Sequence, residues 1–192
     1  MSIKTINNLY TGEYKNLNSK FLGYLYPFSD KKELNEILHK LKKEHPKACH
    51  WCYAYRWGFE NEEVRANDDG EPSGTAGKPI LNQLYSFEVQ NCLLVVVRYF
   101  GGTKLGVSGL IEAYKETAKS TLMSANIIIQ EEMVQMNLCL DLEQYHKTIS
   151  SLKKEGAKII DETFLNNQYQ LTIIIPKNIA NNYSKLLNDN IL

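Results

Sequence analysis

Two segments of this chain concentrate the residue types that could do chemistry. In the first, residues 67–79, the carboxylates of Asp69 and Glu71 could work with the imidazole of His50 in hydrolysis or phosphoryl transfer. No nucleophile–base pair and no trio of metal ligands has a diagnostic spacing, and a histidine at the start of a strand is more often structural. A catalytic role for these three residues is therefore one hypothesis among others.

The second segment, residues 101–110, carries glycines and a lysine between an apolar strand and a helix. They are Gly101, Gly102, Lys104, Gly106 and Gly109. Free backbone N–H groups and the positive end of a helix dipole suit an anion, and Lys104 favours one. The spacing matches neither the dinucleotide pattern nor the Walker pattern, so a tight turn that lets the helix pack closely is the alternative.

The acidic segment is a poor match to known ion-binding loops. Arg65 and Ala76 stand where a calcium loop needs its first ligand and its bidentate glutamate. A phosphate loop would need a longer spacer and a final hydroxyl. We expect a solvated turn, with Mg²⁺ held by Asp68, Asp69 or Glu71 as the alternative.

Residues 49–57 alternate between the two faces of a predicted strand. One face carries Trp51, Tyr53, Tyr55 and Trp57, and the other carries His50, Cys52, Ala54 and Arg56. Such an aromatic stripe predicts core beneath a helix, and a base-stacking platform is the alternative. Cys49 and Cys52 point to opposite faces and no second pair has zinc spacing, so we predict no zinc site and, apart from Mg²⁺, no cofactor.

The hydrophobic pattern predicts the elements that position these residues. Residues 3–28 predict strands, residues 30–45 a helix with Asp30 and Glu33 as a capping pair, and residues 92–97 a buried central strand. Residues 58–79 predict a long loop. A helix follows the glycines, with Ser108 placed to cap its first turn.

Composition changes near residues 130–134, so we place an N-terminal domain at residues 1–132 and a C-terminal domain at residues 133–192. The second domain has the order β-α-β-β-α, which is the ferredoxin-like split unit with its last strand short or absent. Its last helix is predicted from Ala180, Tyr183, Leu186 and Leu187, and residues 190–192 remain to begin a strand. A homodimer, in which another chain supplies that strand, is a further hypothesis.

The charge balance argues against two classes of function. Lysine plus arginine and aspartate plus glutamate both number 22, with 16 of each through Met133 and 6 of each after it. This balance disfavours a strong non-specific nucleic-acid binder and a membrane-surface protein. No apolar run approaches the ~20 residues of a membrane helix, and four cysteines without a dense framework fit a reducing compartment. We expect a cytoplasmic protein.

In order and spacing, the motifs of this chain resemble those of the IMPACT/YigZ family. The matching residues are Ser19-Lys20-Phe21, then His50, Cys52 and Ala54-Tyr55, then Asp68-Asp69-Gly70-Glu71-Pro72 and Gly74-Thr75-Ala76-Gly77-Lys78-Pro79, and finally Arg98-Tyr99-Phe100-Gly101-Gly102 with Lys104-Leu105-Gly106, Gly109-Leu110 and Ala113-Tyr114. The resemblance covers essentially the whole chain.

The resemblance implies an α+β fold of two domains. The first would have the fold shared by the second domain of a small-subunit ribosomal protein and domain IV of elongation factor G, and the second would be ferredoxin-like. Eukaryotic relatives modulate the stress kinase that controls initiation, which implies a non-catalytic, translation-associated regulatory protein that binds RNA, the ribosome or a translation-regulating protein. Lys20, Arg56, Arg98 and Lys104 would then contact phosphates.

Three residues depart from the family pattern. Val97 stands where the family has threonine, Ser108 where it has glycine and Glu112 where it has arginine. We expect Glu112 in the first turn of the helix after the glycines, where it would repel an anion.

A third hypothesis treats the motifs as packing devices. Arg98 would pair with Asp69 or Glu71, and that contact would hold the acidic segment against the glycines.

Overall fold

The computed structural model describes residues 1–186, which divide into two units. One unit is Ile3–Gln130, and the other comprises Met1–Ser2 and the chain from Glu131 onward. The molecule is a two-domain α+β protein, as the motifs imply. The predictions for Leu187 and for residues 190–192 lie outside the described residues.

Five antiparallel strands form the main sheet of the first unit, in the order β2-β3-β6-β4-β5. Their bounds are Tyr10–Asn16 for β2, Ser19–Pro27 for β3, His50–Trp57 for β4, Glu63–Asn67 for β5 and Cys92–Tyr99 for β6. The short strands β1 (Ser2–Thr5) and β7 (Ile128–Glu131) pair separately. β6 is central and buried on both faces, which confirms the prediction from its apolar run.

Helices cover both faces of this sheet. On one face α1 (Glu33–Glu44) packs through Leu34 and Leu41 over Tyr53 and Tyr55. The aromatic stripe is therefore core beneath a helix, as predicted. On the other face lie α2 (Gly77–Ser86) and α3 (Gly106–Met123).

Three local predictions are wrong. Asp30 does not form a capping box, because its carboxylate accepts the N–H of Lys32 (2.9 Å) and α1 has no side-chain cap. The predicted loop contains β5, an edge strand whose exposed side chains hide its periodicity. Ser108 lies inside α3, which begins at Gly106 and has no side-chain cap.

The second unit has the predicted order of elements. They are β8 (Met133–Leu140), α4 (Leu142–Lys154), β9 (Lys158–Leu165), β10 (Gln168–Pro176), α5 (Lys177–Ala180) and a 3₁₀ helix (Asn181–Leu186). The antiparallel order β8-β10-β9 is that of the split β-α-β-β unit. A capping box at Asp141 starts α4, and positive φ angles at Asn166 and Asn167 form the two-residue turn between β9 and β10.

Candidate functional site

The motif loop, residues 68–77, is fixed by its own first carboxylate. Asp68 Oδ1 accepts hydrogen bonds from the backbone N–H of Ala76 (3.0 Å) and Gly77 (2.8 Å), and Oδ2 accepts one from Gly74 (2.9 Å). Gly77 is the first residue of α2 and Ala76 is the residue before it, so Asp68 occupies the anion position of that helix, while its contact with Gly74 holds the preceding loop. Desolvation raises the pKa of Asp68, but the three donors outweigh it and hold the pKa below its usual value. The expected solvated turn is instead a half-buried, hydrogen-bonded loop.

Asp69 positions His50 through its backbone. His50 Nδ1 donates to the Asp69 carbonyl oxygen (2.8 Å), while the Asp69 carboxylate accepts the N–H of Trp51 (2.6 Å). With the proton on Nδ1, the neutral imidazole presents Nε2 as an acceptor. Nε2 lies 3.9 Å from Glu71 Oε1, beyond hydrogen-bond distance.

Glu71 is the centre of a buried polar contact. Its Oε1 accepts from Arg98 Nη1 at 2.5 Å and from the Tyr114 hydroxyl at 2.8 Å. The side chains of Arg98 and Glu71 are 7% and 4% exposed, and Tyr114 is fully buried. Burial, with Cys52 and Glu71 nearby, raises the pKa of Tyr114, which stays a hydrogen-bond donor. The predicted pairing of Arg98 with an acid of the motif loop is confirmed, and the acid is Glu71.

Cys52, on β4, also belongs to this polar cluster. Its thiol donates to the Asp68 carbonyl oxygen (3.0 Å) and lies 3.3 Å from the Tyr114 hydroxyl. Burial raises the pKa of the thiol, so the group is protonated and a poor nucleophile.

Strand register explains why residues distant in sequence meet here. Arg98 on β6 is the direct partner of both Phe21 on β3 and His50 on β4, so the three side chains share one face. The Arg98 guanidinium lies 5.5 Å from the centroid of the Phe21 ring. α3 brings Tyr114 to the same face, where its ring meets Phe21 edge-on at 5.2 Å.

The glycine loop, residues 100–106, needs its glycines for two different reasons. A Cβ on Gly101 would lie 2.1 Å from the carbonyl carbon of Asn18 and 2.2 Å from the nitrogen of Ser19, so the backbones could not approach as they do. Gly102 and Gly106 have φ angles of 87° and 71°, which favour glycine, and their Cβ positions are open. Close packing and turn formation therefore account for these residues without a ligand.

The start of α3 differs from that of α2. It has no side-chain cap and no acidic residue in its first turn. Glu112 is the seventh residue of α3 and is exposed, so the expectation that it lies in the first turn is wrong. The first N–H groups of α3 thus lack the carboxylate that α2 receives from Asp68.

A cavity of about 380 Å³, which we name the glycine-loop pocket, lies between the motif loop and the start of α3. It is lined by Glu71, Pro72, Arg98, Phe100, Lys104, Leu105, Gly106, Val107 and Leu110. Arg98 Nε is one of three buried side-chain nitrogen or oxygen atoms without a hydrogen-bond partner in residues 1–186. Phe100 is 49% exposed, so the pocket combines apolar walls with cationic groups.

The structure does not bring every predicted phosphate contact to this pocket. Lys20 precedes Phe21 on β3, so its side chain lies on the opposite face of the sheet, where it pairs with Glu13 (3.4 Å). Arg56 is buried and is bound by Glu62 and by the carbonyl oxygens of Leu84 (3.3 Å) and Val89 (3.2 Å). Gly109 is a helix residue beside Leu105.

The acids of the motif loop are engaged within the protein. Asp68 and Asp69 accept backbone N–H groups, and Glu71 accepts from Arg98 and Tyr114. Among the residues that the structure describes, no group of three or more His, Cys, Asp or Glu is arranged to hold a metal ion.

Two residues of the site, Tyr114 and Phe100, lie in the motifs that match the family but are not predicted as site residues. Tyr114 falls on the apolar stripe of α3 and is indistinguishable there from core. Phe100 stands between a strand and a glycine, and its exposure depends on the conformation of the loop.

Fold and site together define a class: two-domain α+β proteins in which a buried arginine–glutamate contact joins an acidic motif loop to a glycine loop. The family model of the Impact N-terminal domain matches residues 17–122, which include every residue of this site. The chain belongs to the IMPACT family.

Relatives extend the match beyond that domain. The IMPACT family member YvyE of Bacillus subtilis is 33% identical over 89% of this chain and 78% of its own length. The IMPACT family member YigZ of Escherichia coli is 31% identical over 82% of this chain and 76% of its own length. A crystal structure of a hypothetical protein matches 96% of this chain and 90% of its own, with 26% identity and a TM-score of 0.71. Within residues 1–186 no helix is long and apolar enough to cross a membrane.

Proposed function

We propose that this protein is a non-catalytic, translation-associated regulatory protein that acts by binding RNA, the ribosome or a translation-regulating protein through the glycine-loop pocket. The support is membership of the IMPACT family together with the chemistry of the pocket. The observation that carries the proposal is the buried contact of Glu71 with Arg98 and Tyr114, because it gives the Glu71 carboxylate a structural role instead of a catalytic one.

That contact leaves the pocket suited to binding rather than to acid–base chemistry. The Asp68 and Asp69 carboxylates are held by backbone donors, and the Cys52 thiol is buried and protonated. The pocket is lined by Lys104, the start of α3, apolar walls and the paired side chains of Arg98 and Glu71. Such a surface recognises an anionic group attached to an apolar body.

Isolation of the tagged protein from an extract of its own cells at low salt tests this proposal. RNA and protein in the eluate are identified for the wild type, for Lys104→Glu and for Lys115→Glu. Lys115 lies on α3 and lines a different cavity. Lys115→Glu makes the same change of charge as Lys104→Glu, so it is the matched control. We expect ribosomes, a defined RNA or a translation factor with the wild type and the control, and their loss with Lys104→Glu. Recovery of no such component, or equal recovery with Lys104→Glu, refutes the proposal.

A metal-dependent hydrolase or phosphoryl-transfer enzyme is the second candidate. The observation that favours it is His50 Nε2, an acceptor on a side chain that is 25% exposed and oriented by Asp69. Turnover of a phosphorylated compound with Mg²⁺ by the wild type, and its loss in His50→Ala, would support an enzyme. If His50→Ala leaves binding and every measured activity unchanged, the enzyme loses its base.

A further inference from the structure

We infer that the glycine-loop pocket binds one phosphorylated nucleoside, with the phosphate at Lys104 and the start of α3 and the base against Phe100. This inference deepens the proposed function and rests on it, because it names the ligand of the same pocket. The ligand chemistry is that of a free nucleotide or of an unpaired nucleotide in RNA.

The phosphate position follows from the two neighbouring helices. At α2 the carboxylate of Asp68 accepts three backbone N–H groups. At α3 no side chain from residues 1–186 takes that place, and no acid lies in the first turn. Exposed Lys104 stands just before this helix, and within residues 1–186 it has no ion-pair partner. A phosphate there would accept helix N–H groups and pair with the lysine.

Arg98 gives independent support for an anion. The residue is 6% exposed and lines the pocket, yet its Nε has no hydrogen-bond partner among the residues that the structure describes. A buried donor left without an acceptor is costly, whereas an anion in the pocket would bring acceptor oxygens towards the guanidinium. The Arg98–Glu71 pair is neutral in sum, so the support from Arg98 is its unpaired Nε donor and not a net charge.

The ring of Phe100 provides the surface on which the base would stack. Half of its side chain is exposed, and the Arg98 guanidinium lies 5.7 Å from its ring centroid, a cation–π contact that holds the ring in place. Pro72, Leu105 and Val107 add apolar surface beside it. Bases stack on exposed aromatic rings of this kind in single-stranded nucleic-acid sites.

Size and charge favour a single nucleotide over a duplex. The volume of about 380 Å³ falls among the cavities that hold small ligands, roughly 300–1,000 Å³. A duplex backbone would need a run of cations, whereas the chain has 22 basic and 22 acidic residues, and among the described residues Lys104 is the one lysine that lines the pocket.

Titration of the full chain with five probes tests the inference. They are uridine monophosphate, uridine, inorganic phosphate and a fluorescein-labelled oligouridylate, and an RNA hairpin stem serves as duplex. Binding is followed by calorimetry for the small probes and by anisotropy for the RNAs. We expect the monophosphate and the oligouridylate to bind at least about tenfold more tightly than uridine, phosphate or the stem. Binding of the monophosphate alone would identify a free nucleotide as the source, and binding of both would identify RNA.

Variants assign the binding to the pocket. Phe100→Ala should weaken it about 5- to 150-fold, the range for one stacked base, and Lys104→Glu about 10- to 150-fold. Lys115→Glu should stay within about twofold. Absence of monophosphate and oligouridylate binding, or equal binding by Lys104→Glu, overturns the inference. If a translation factor is nevertheless isolated in a Lys104-dependent way, the proposed function stands and its ligand is a protein. If nucleotides bind but no translation component is recovered, the inference stands and the proposed function fails.

Discussion

Replacing Arg98 by methionine should expose how much the buried contact contributes to the first domain. Methionine fills much of the same space but removes the guanidinium, so the Glu71 carboxylate would keep only its hydrogen bond from Tyr114. With the side chains 7% and 4% exposed, water compensates little. Breaking a buried ion pair in this way costs about 3–5 kcal/mol.

That cost translates into a large change in melting temperature. The unit Ile3–Gln130 lies between the size classes in which 1 kcal/mol shifts the midpoint by about 4–8 °C and by about 2–4 °C, so about 4 °C per kcal/mol applies. We therefore expect Arg98→Met to lower it by about 10–20 °C. The chain has two tryptophans, Trp51 and Trp57, and both lie on β4, so tryptophan fluorescence reports the unfolding of this domain alone.

A double-mutant cycle with Glu71→Gln separates the interaction free energy of the Arg98–Glu71 pair from the free energy lost through poorer packing. Removing both charges should be less destabilising than the two single changes added, with a coupling of about 1–3 kcal/mol in urea unfolding. An unchanged midpoint for Arg98→Met is incompatible with a buried partner. Strict additivity would show that Arg98 and Glu71 do not interact.

Three further predictions concern the surrounding loops. Gly101→Ala should destabilise the domain by about 1–3 kcal/mol, because the added Cβ overpacks against Asn18 and Ser19. Gly102→Asn should destabilise it by less, because asparagine tolerates positive φ and the Cβ position at Gly102 is open. Urea unfolding compares the two variants, and equal losses would contradict the steric argument. Backbone donors hold the pKa of Asp68 below its usual 3.8, so its carboxylate stabilises the fold above that value. This stabilisation is lost as pH falls through the lowered pKa. Asp68→Asn should therefore lack this part of the pH dependence of the free energy of unfolding between about pH 5 and pH 2. Exposed Cys49 should react with iodoacetamide in the native state while Cys52 does not, as peptide mass mapping would show; modification of Cys52 before unfolding would contradict its burial.

Alternation along the strands was enough to predict much of this arrangement. It placed the aromatic residues of β4 on one face and His50 with Cys52 on the other, as the structure has them. The same alternation excludes Lys20 from the site once Phe21 is assigned to the core beside Arg98. The pairing of Arg98 with Asp69 or Glu71 was predicted as a contact that holds the acidic segment against the glycines, and the structure has it with Glu71.

Other features depend on contacts that no local pattern encodes. α2 begins at Gly77 in a stretch rich in glycine and proline, because Asp68, nine positions earlier, accepts its first N–H groups. β5 is an edge strand with exposed side chains, so its pairing with β4 leaves no apolar period. The choice of Glu71 over Asp69 depends on the fold of the motif loop, which turns the Asp69 carboxylate to Trp51.

The double variant of Arg98 and Glu71 also separates packing from recognition. If Arg98 serves only to hold the motif loop against the glycine loop, the variant with both Arg98→Met and Glu71→Gln should recover much of the stability that Arg98→Met loses. The walls of the pocket would then be restored, and binding of the monophosphate should recover as well. If the guanidinium also faces the phosphate, the same variant should recover stability while binding stays weak. The two roles make opposite predictions for one protein, because the Glu71 contact uses Nη1 and leaves Nε without a partner. On that geometry we expect stability to return and binding to stay weak.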